Sequence, residues 1–145
     1  AARCGLGAVM GSKKLKAITV DGTTHATLAS PDEFKDLALS SSKILGEALY
    51  MLRDQGTAMY VDIGMMFNDV PIKYFQDIEF DEADRINGKS LSELLTGRYA
   101  CYACPIGCGR KVSVAEYDLE NIAGPEYQTI ASFGSNLLIS DLKKI

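Results

Sequence analysis

The chain has 145 residues, 47% of them hydrophobic, which is enough for one modest core. Its 15 basic and 19 acidic residues leave a net charge of −4. There is no basic stripe, and the aromatics do not alternate with Arg or Lys as a nucleic-acid platform requires. No apolar run approaches the roughly 18–20 residues of a membrane span, and no signal peptide is visible. The expectation is a chain that engages neither membrane nor nucleic acid.

The first thirty residues differ from the rest. Gly5, Gly7 and Gly11 surround Ala8-Val9-Met10, and Ser12-Lys13-Lys14 follows. Leu15 to Val20 reads as a short strand ended by Asp21-Gly22, so the segment is predicted to be a glycine loop running into a strand. Its spacing is not that of a phosphate-binding P-loop. A tight turn is the ordinary reading. The sharper one is a backbone brought close to a bulky anionic cofactor, with Arg3 and Lys13 nearby.

A helix start comes next. Ser30 caps, Pro31 suits the first helical position and Glu33 completes a capping box. Apolar residues at 34, 37, 38, 44, 45, 48, 49 and 52 recur at helical spacing up to Gly56. A second helix over Thr57 to Phe67 carries Met59, Met65 and Met66, a face expected in the core. Asn68-Asp69-Val70-Pro71 breaks it, and residues 72–89 read as a polar excursion over the surface. Ser90 with Glu93 repeats the capping-box pattern for a short helix ending near Gly97. Lys111 to Val114 reads as a brief strand, and a last helix opens at Gly124-Pro125-Glu126. Beyond residue 30 the chain is predicted to be mainly helical.

The chemistry concentrates between those last helices, where Cys101, Cys104 and Cys108 fall within one stretch, C-x2-C-x3-C. Three soft ligands so spaced can wrap one face of an iron–sulfur cube, each taking a different iron. The same run can supply three zinc ligands, but no second knuckle exists and the one histidine, His25, lies far upstream and reads as a surface residue. A cluster needs a fourth anchor, from Cys4 or from outside the chain. The absent initiator Met and the abrupt stop at Ile145 read as a slice of something longer. Clustered cysteines fit a reducing compartment, so the cytoplasm is expected.

Arg98, Arg110 and Lys111 flank the loop and are candidates to hydrogen-bond cluster sulfurs. Pro105 stiffens the loop, and Gly107 lets backbone amides approach. Glu126 falls in the first turn of the following helix, where exposed amides favour its ionised form. It is either a simple helix stabiliser or, facing a redox centre, a proton acceptor.

Several segments converge on one family. Arg3-Cys4-Gly5-Leu6-Gly7-Ala8-Val9-Met10-Gly11-Ser12-Lys13 with Leu15-Lys16-Ala17-Ile18 resembles the glycine-rich segment of tungsten-containing aldehyde ferredoxin oxidoreductases. Cys101 to Cys108 resembles their cluster loop. Gly124-Pro125-Glu126-Tyr127 with Ala131 to Asn136 is similar to the helix that follows it, and Gly56-Thr57 and the Pro71 region fit the intervening stretch. The chain departs from the pattern at Cys4, where many relatives have glycine, and at Tyr74, where an asparagine is common.

The resemblance implies a central slice of a three-domain enzyme. Residues 1–29 would end a β-rich domain that seats a bis-pterin cofactor of tungsten or molybdenum. Residues 30–145 would begin a helical second domain, giving a mainly α fold after a short β-rich tail. Cys101, Cys104 and Cys108 would bind a [4Fe-4S] cluster, with the fourth cysteine supplied from later in the chain. Ala2, Arg3, Gly5 and Gly7 would belong to the stretch approaching the pterin phosphates and their magnesium, and Glu126 would be the acidic residue near the metal. The activity implied is oxidation of an aldehyde to a carboxylic acid, with electrons passed to ferredoxin, and with assembly into a homo-oligomer left open. Two rivals remain: a tungsten-dependent aromatic acyl-CoA reductase of the same family, and a non-catalytic iron–sulfur carrier or zinc-binding module.

Overall fold

The computed structural model describes residues 4–145. Six α-helices and three strands make it mainly helical with a small β part. The helices are α1 (Leu6–Ser12), α2 (Pro31–Ala48), α3 (Tyr50–Gln55), α4 (Tyr60–Phe67), α5 (Gly88–Ser92) and α6 (Tyr127–Phe133). The strands are β1 (Leu95–Tyr99), β2 (Gly109–Val114) and β3 (Leu119–Ala123). No described helix is long and apolar enough to cross a membrane.

The chain divides into two units after Phe34. In the first, the glycine segment is not the expected loop. Gly5 takes a left-handed conformation at φ 70° and opens α1, which runs through Gly7 and Gly11. Nor does the expected strand over Leu15 to Val20 form. A strand needs a partner for its backbone groups, and among the described residues of this unit no second strand exists to supply one.

In the second unit, the helical pattern leading to Gly56 is interrupted at Leu49, whose backbone (φ −109°, ψ 33°) separates α2 from α3. Gly56 then adopts φ 67° and starts a 3-10 turn that leads into α4. Met65 packs against the core as expected, but Met66 is exposed. The core itself joins Ala58, Val61, Ile86, Leu91, Val112 and Ile130. Each fully buried Ile here contributes about 1.5–3 kcal/mol of transfer free energy. Ile86 and Ile72 therefore anchor the 72–89 excursion rather than letting it lie free on the surface.

The short helix before the cysteines is capped one turn earlier than predicted. Asn87 Oδ1 accepts the Ser90 amide at 3.0 Å, so Ser90 lies inside α5 rather than at its cap. Residues 95–99 are strand, not the end of that helix. The sheet is antiparallel in the order β1-β2-β3. Lys111 to Val114 lies in β2, as its pattern predicted. The sheet positions the site in two ways: β1 and β2 close the cysteine loop at the Tyr99–Gly109 pair, and β3 delivers the chain to Gly124 and α6.

Candidate functional site

Residues 100–108 connect β1 to β2, so all three clustered cysteines ride on one hairpin loop. The Cys104 amide donates to the Cys101 carbonyl at 3.1 Å, forming a turn inside the loop. Ala103 and Gly107 both take left-handed backbone, at φ 54° and 63°. That conformation is natural for glycine and less so for alanine. The backbone amides of Gly107 and Ile106 lower the pKa of Cys104 below the usual thiol value, against the opposing effect of burial. All three thiols are free; Cys101 is exposed, and Cys104 and Cys108 are half-buried. Among the described residues no three His, Cys, Asp or Glu side chains are grouped so as to hold a single metal ion. The loop's donor set is three thiols without an imidazole or carboxylate, and it fits a polynuclear iron–sulfur group, whose irons each take their own cysteine.

Arg110 fixes this loop to the helical layer. Its side chain is 2% exposed and donates four hydrogen bonds, all to backbone carbonyls. Nε reaches Cys108 O at 3.2 Å, and Nη2 reaches Gly107 O at 2.8 Å. Nη1 and Nη2 reach Asp54 O and Arg53 O, each at 2.7 Å. The last two are carbonyls at the end of α3, which a helix leaves without intrahelical partners. One guanidinium thus caps a helix and holds both ends of the Gly107-Cys108 step. Burial lowers the Arg110 pKa and the charge of Arg98 acts the same way, while Cys108, Asp54 and Glu126 oppose them. Four of the five guanidinium N–H donors of Arg110 are thus committed to carbonyl oxygens rather than to sulfur. Arg98 likewise donates to Arg53 O, at 3.2 Å, and approaches the Asp54 carboxylate at 3.9 Å.

Glycines make the close approaches possible. A Cβ on Gly56 would stand 2.8 Å from Cys108 O and 3.2 Å from the Arg110 side chain. A Cβ on Gly124 would meet Val112 at 3.0 Å, and its absence lets the Gly124 amide donate to Arg110 O at 2.8 Å.

Through Gly124 the cysteine loop is connected to Glu126, which occupies the N-cap of α6. Its side chain does not cap the helix. Oε2 instead accepts the Thr57 hydroxyl proton, and Thr57 Oγ1 accepts the Tyr127 amide at 2.9 Å. Thr57 therefore caps the helix in place of Glu126 and at the same time holds its carboxylate. Glu126 borders a cavity of about 420 Å³ lined by Val112, Val114, Leu119, Ile122 and Leu142. On the other side of Thr57, Tyr60 and Tyr127 pack edge to face with ring centroids 4.9 Å apart, and Tyr60 donates to Asp69 at 2.6 Å.

The structure thus brings Cys108, Arg110, Gly124 and Glu126 into one connected run. Gly5 and Gly7 lie in the other unit, and His25 is an exposed residue there, outside any helix or strand. Ala2 and Arg3 lie outside the described residues. Thr57 is the partner that residue patterns alone did not reveal: nothing local marks a threonine that meets its carboxylate 69 positions later.

Comparison with known proteins identifies the family. The sequence model of the family described as aldehyde ferredoxin oxidoreductase, domains 2 and 3, matches residues 38–145. The chain is 38% identical over its whole length to a tungsten-containing aldehyde ferredoxin oxidoreductase of Thermococcus kodakarensis. It is 36% identical to proteins so named from Pyrococcus furiosus and Pyrococcus abyssi, again over its whole length. In each case it spans 24% of the relative's length. A match over this much of the chain, joined to a cysteine loop and a Thr57-held carboxylate on one scaffold, means that the chain belongs to the aldehyde ferredoxin oxidoreductase family.

Proposed function

We propose that the chain is the cluster-bearing part of an enzyme that oxidises aldehydes to carboxylic acids. Cys101, Cys104 and Cys108 hold a [4Fe-4S] cluster, with a fourth ligand from elsewhere in the protein. The observation that carries this reading is the thiol loop itself: three free cysteines on one hairpin, with a buried guanidinium holding its base. When bound, the tungsten (or molybdenum) bis-pterin supplies two-electron chemistry at the aldehyde carbon, and the cluster relays single electrons to ferredoxin.

The chain's own residues have distinct parts in this scheme. Glu126 accepts a proton during aldehyde oxidation or orients water. Thr57 fixes it by donating to Oε2, and Oε1 makes no hydrogen bond to the described residues, so that oxygen is available to the reacting groups. Arg110 keeps the cysteine loop seated against α3. Ala2, Arg3, Gly5 and Gly7 belong to the stretch that would hold the pterin phosphates and magnesium; Gly5 takes a left-handed backbone, and nothing lies within 4 Å of where its side chain would project. The cytoplasm is the proposed compartment.

Metal analysis of the anaerobically purified protein tests this reading. Iron and sulfide together with tungsten or molybdenum, and aldehyde-dependent reduction of ferredoxin, are the expected results. Iron without either metal would leave only an electron carrier, and zinc alone would overturn the proposal.

A further inference from the structure

Arg110 carries a full charge into a place where no described residue forms an ion pair with it. Its side chain is 2% exposed, and its four acceptors, on Arg53, Asp54, Gly107 and Cys108, are all neutral carbonyls. None of the five ion pairs among the described residues includes it. The carboxylates of Asp54 and Glu126 act on Arg110 only through space, without forming an ion pair with it: Asp54 pairs with Arg53 at 3.0 Å, and Glu126 accepts from Thr57. Removing a cation from water costs several kcal/mol, and buried charges are as a rule balanced by an opposite one. Carbonyl dipoles at the end of α3 offset part of that cost, but they carry no net charge.

We propose that Arg110 is the counter-cation of the anionic centre held by Cys101, Cys104 and Cys108, and that its charge raises the reduction potential of that centre. This inference rests on the cluster reading given above. Four thiolates around an iron–sulfur cube leave a net negative charge, which grows by one on reduction. A fixed positive charge nearby favours the reduced form. Arg110 is well placed for this, because Nε holds the Cys108 carbonyl and Nη2 the one before it. Being out of water, its field is screened far less than that of an exposed lysine. A guanidinium also stays protonated at any working pH, so the effect is permanent. Arg110 is therefore a positioning and potential-setting residue, not one that touches substrate.

The test separates charge from mere fastening. Arg110→Gln keeps a hydrogen-bonding amide and removes the charge; Arg110→Lys keeps the charge and loses the fork. Cluster content by iron analysis and potential by redox titration followed by electron paramagnetic resonance are measured in the anaerobic holoenzyme. For Arg110→Gln the reduced-to-oxidised ratio at a fixed potential falls at least tenfold, about 59 mV for a one-electron couple. For Arg110→Lys it changes less than tenfold. If Arg110→Gln fails to load iron, the Lys variant decides alone, and a tenfold or larger fall there overturns the inference. A wild-type potential in Arg110→Gln, or equal shifts in both variants, overturns it as well. A wild-type protein without any iron–sulfur signal would instead sink the cluster reading itself.

Discussion

The hydroxyl of Thr57 donates to Glu126 Oε2 while accepting the amide proton of Tyr127 at 2.9 Å. One small side chain thus serves as cap for α6 and as anchor for the candidate catalytic carboxylate. Thr57→Val keeps the shape and removes both hydrogen bonds. It leaves the Tyr127 amide without a partner and frees the carboxylate to rotate, at a cost of about 1–3 kcal/mol. We expect a lowered melting temperature together with reduced turnover, whereas Thr57→Ser preserves both. Equal turnover in the Val variant would show that the carboxylate needs no such anchor.

Glu126→Gln addresses the chemistry directly. The amide retains an oxygen that can accept from Thr57, so the local fold should survive. It cannot accept a proton, and a positioned general base typically contributes about a hundredfold or more. Turnover with an aldehyde substrate should therefore fall by about that factor, with iron and tungsten contents unchanged by elemental analysis. Full activity would leave Glu126 as a structural residue only.

Gly56 and Gly109 both border the cysteine loop, yet the structure predicts unequal responses to alanine. At Gly56 a Cβ meets the Cys108 carbonyl at 2.8 Å, and the residue sits at φ 67°, where a side chain is strained. Backbone must move, and it is the backbone that carries Cys108. At Gly109 the clash, at 2.6 Å, is with the ring of Tyr99, which is 41% exposed and can swing into solvent. Gly56→Ala should cost about 1–3 kcal/mol and lower the iron content, while Gly109→Ala retains iron. Iron-to-protein ratios for the two variants decide the matter.

These contrasts also show what residue order can and cannot convey. That Cys101, Cys104 and Cys108 share one loop was legible because they are close along the chain. The start of α2 and the strand over Lys111 to Val114 were legible from caps and local pattern. The partners β1 and β3 were not, since strand pairing is decided by what packs nearby, and the apolar run at Leu15 to Val20 lacked a partner strand. Asn87 displaced Ser90 as the cap of α5, although both are good capping residues. At Asn87 the side-chain amide also donates to Asp62 at 3.0 Å, a tertiary contact with no local signature. The couplings among Thr57, Arg110 and Glu126 belong to the same class.

Alkaline titration offers a check on the aromatic pair beside Thr57. The hydrogen bond to Asp69, then burial and the Asp69 charge, raise the pKa of Tyr60 above its usual value. Burial, followed by the Asp69 charge, raises that of Tyr127. A phenol with a raised folded value contributes stability that is present below its unfolded pKa near 10 and is lost as pH rises through the folded value. Asp69→Asn should therefore shift part of the tyrosinate absorbance to lower pH. An unchanged titration curve would dissociate Asp69 from both phenols.

Tyr74 sits at the centre of a turn with unfavourable backbone. Lys73, Tyr74 and Phe75 all have left-handed backbone, with φ of 46°, 59° and 59°. Each such non-glycine residue costs about 1–2 kcal/mol, and asparagine tolerates the region better than tyrosine does. The turn is held nonetheless, because the Tyr74 amide donates to Asn136 Oδ1 at 3.0 Å and Ser135 Oγ donates to Pro71 O at 2.8 Å. Both contacts leave the Tyr74 side chain uninvolved, and it is 67% exposed. Tyr74→Asn should consequently relieve strain without losing packing, stabilising the protein by about 0.5–1 kcal/mol. A rise in melting temperature is the expected result, and Asn136→Ala should lower it by releasing the same turn. A fall for Tyr74→Asn would mean that the ring contributes packing that outweighs the backbone strain.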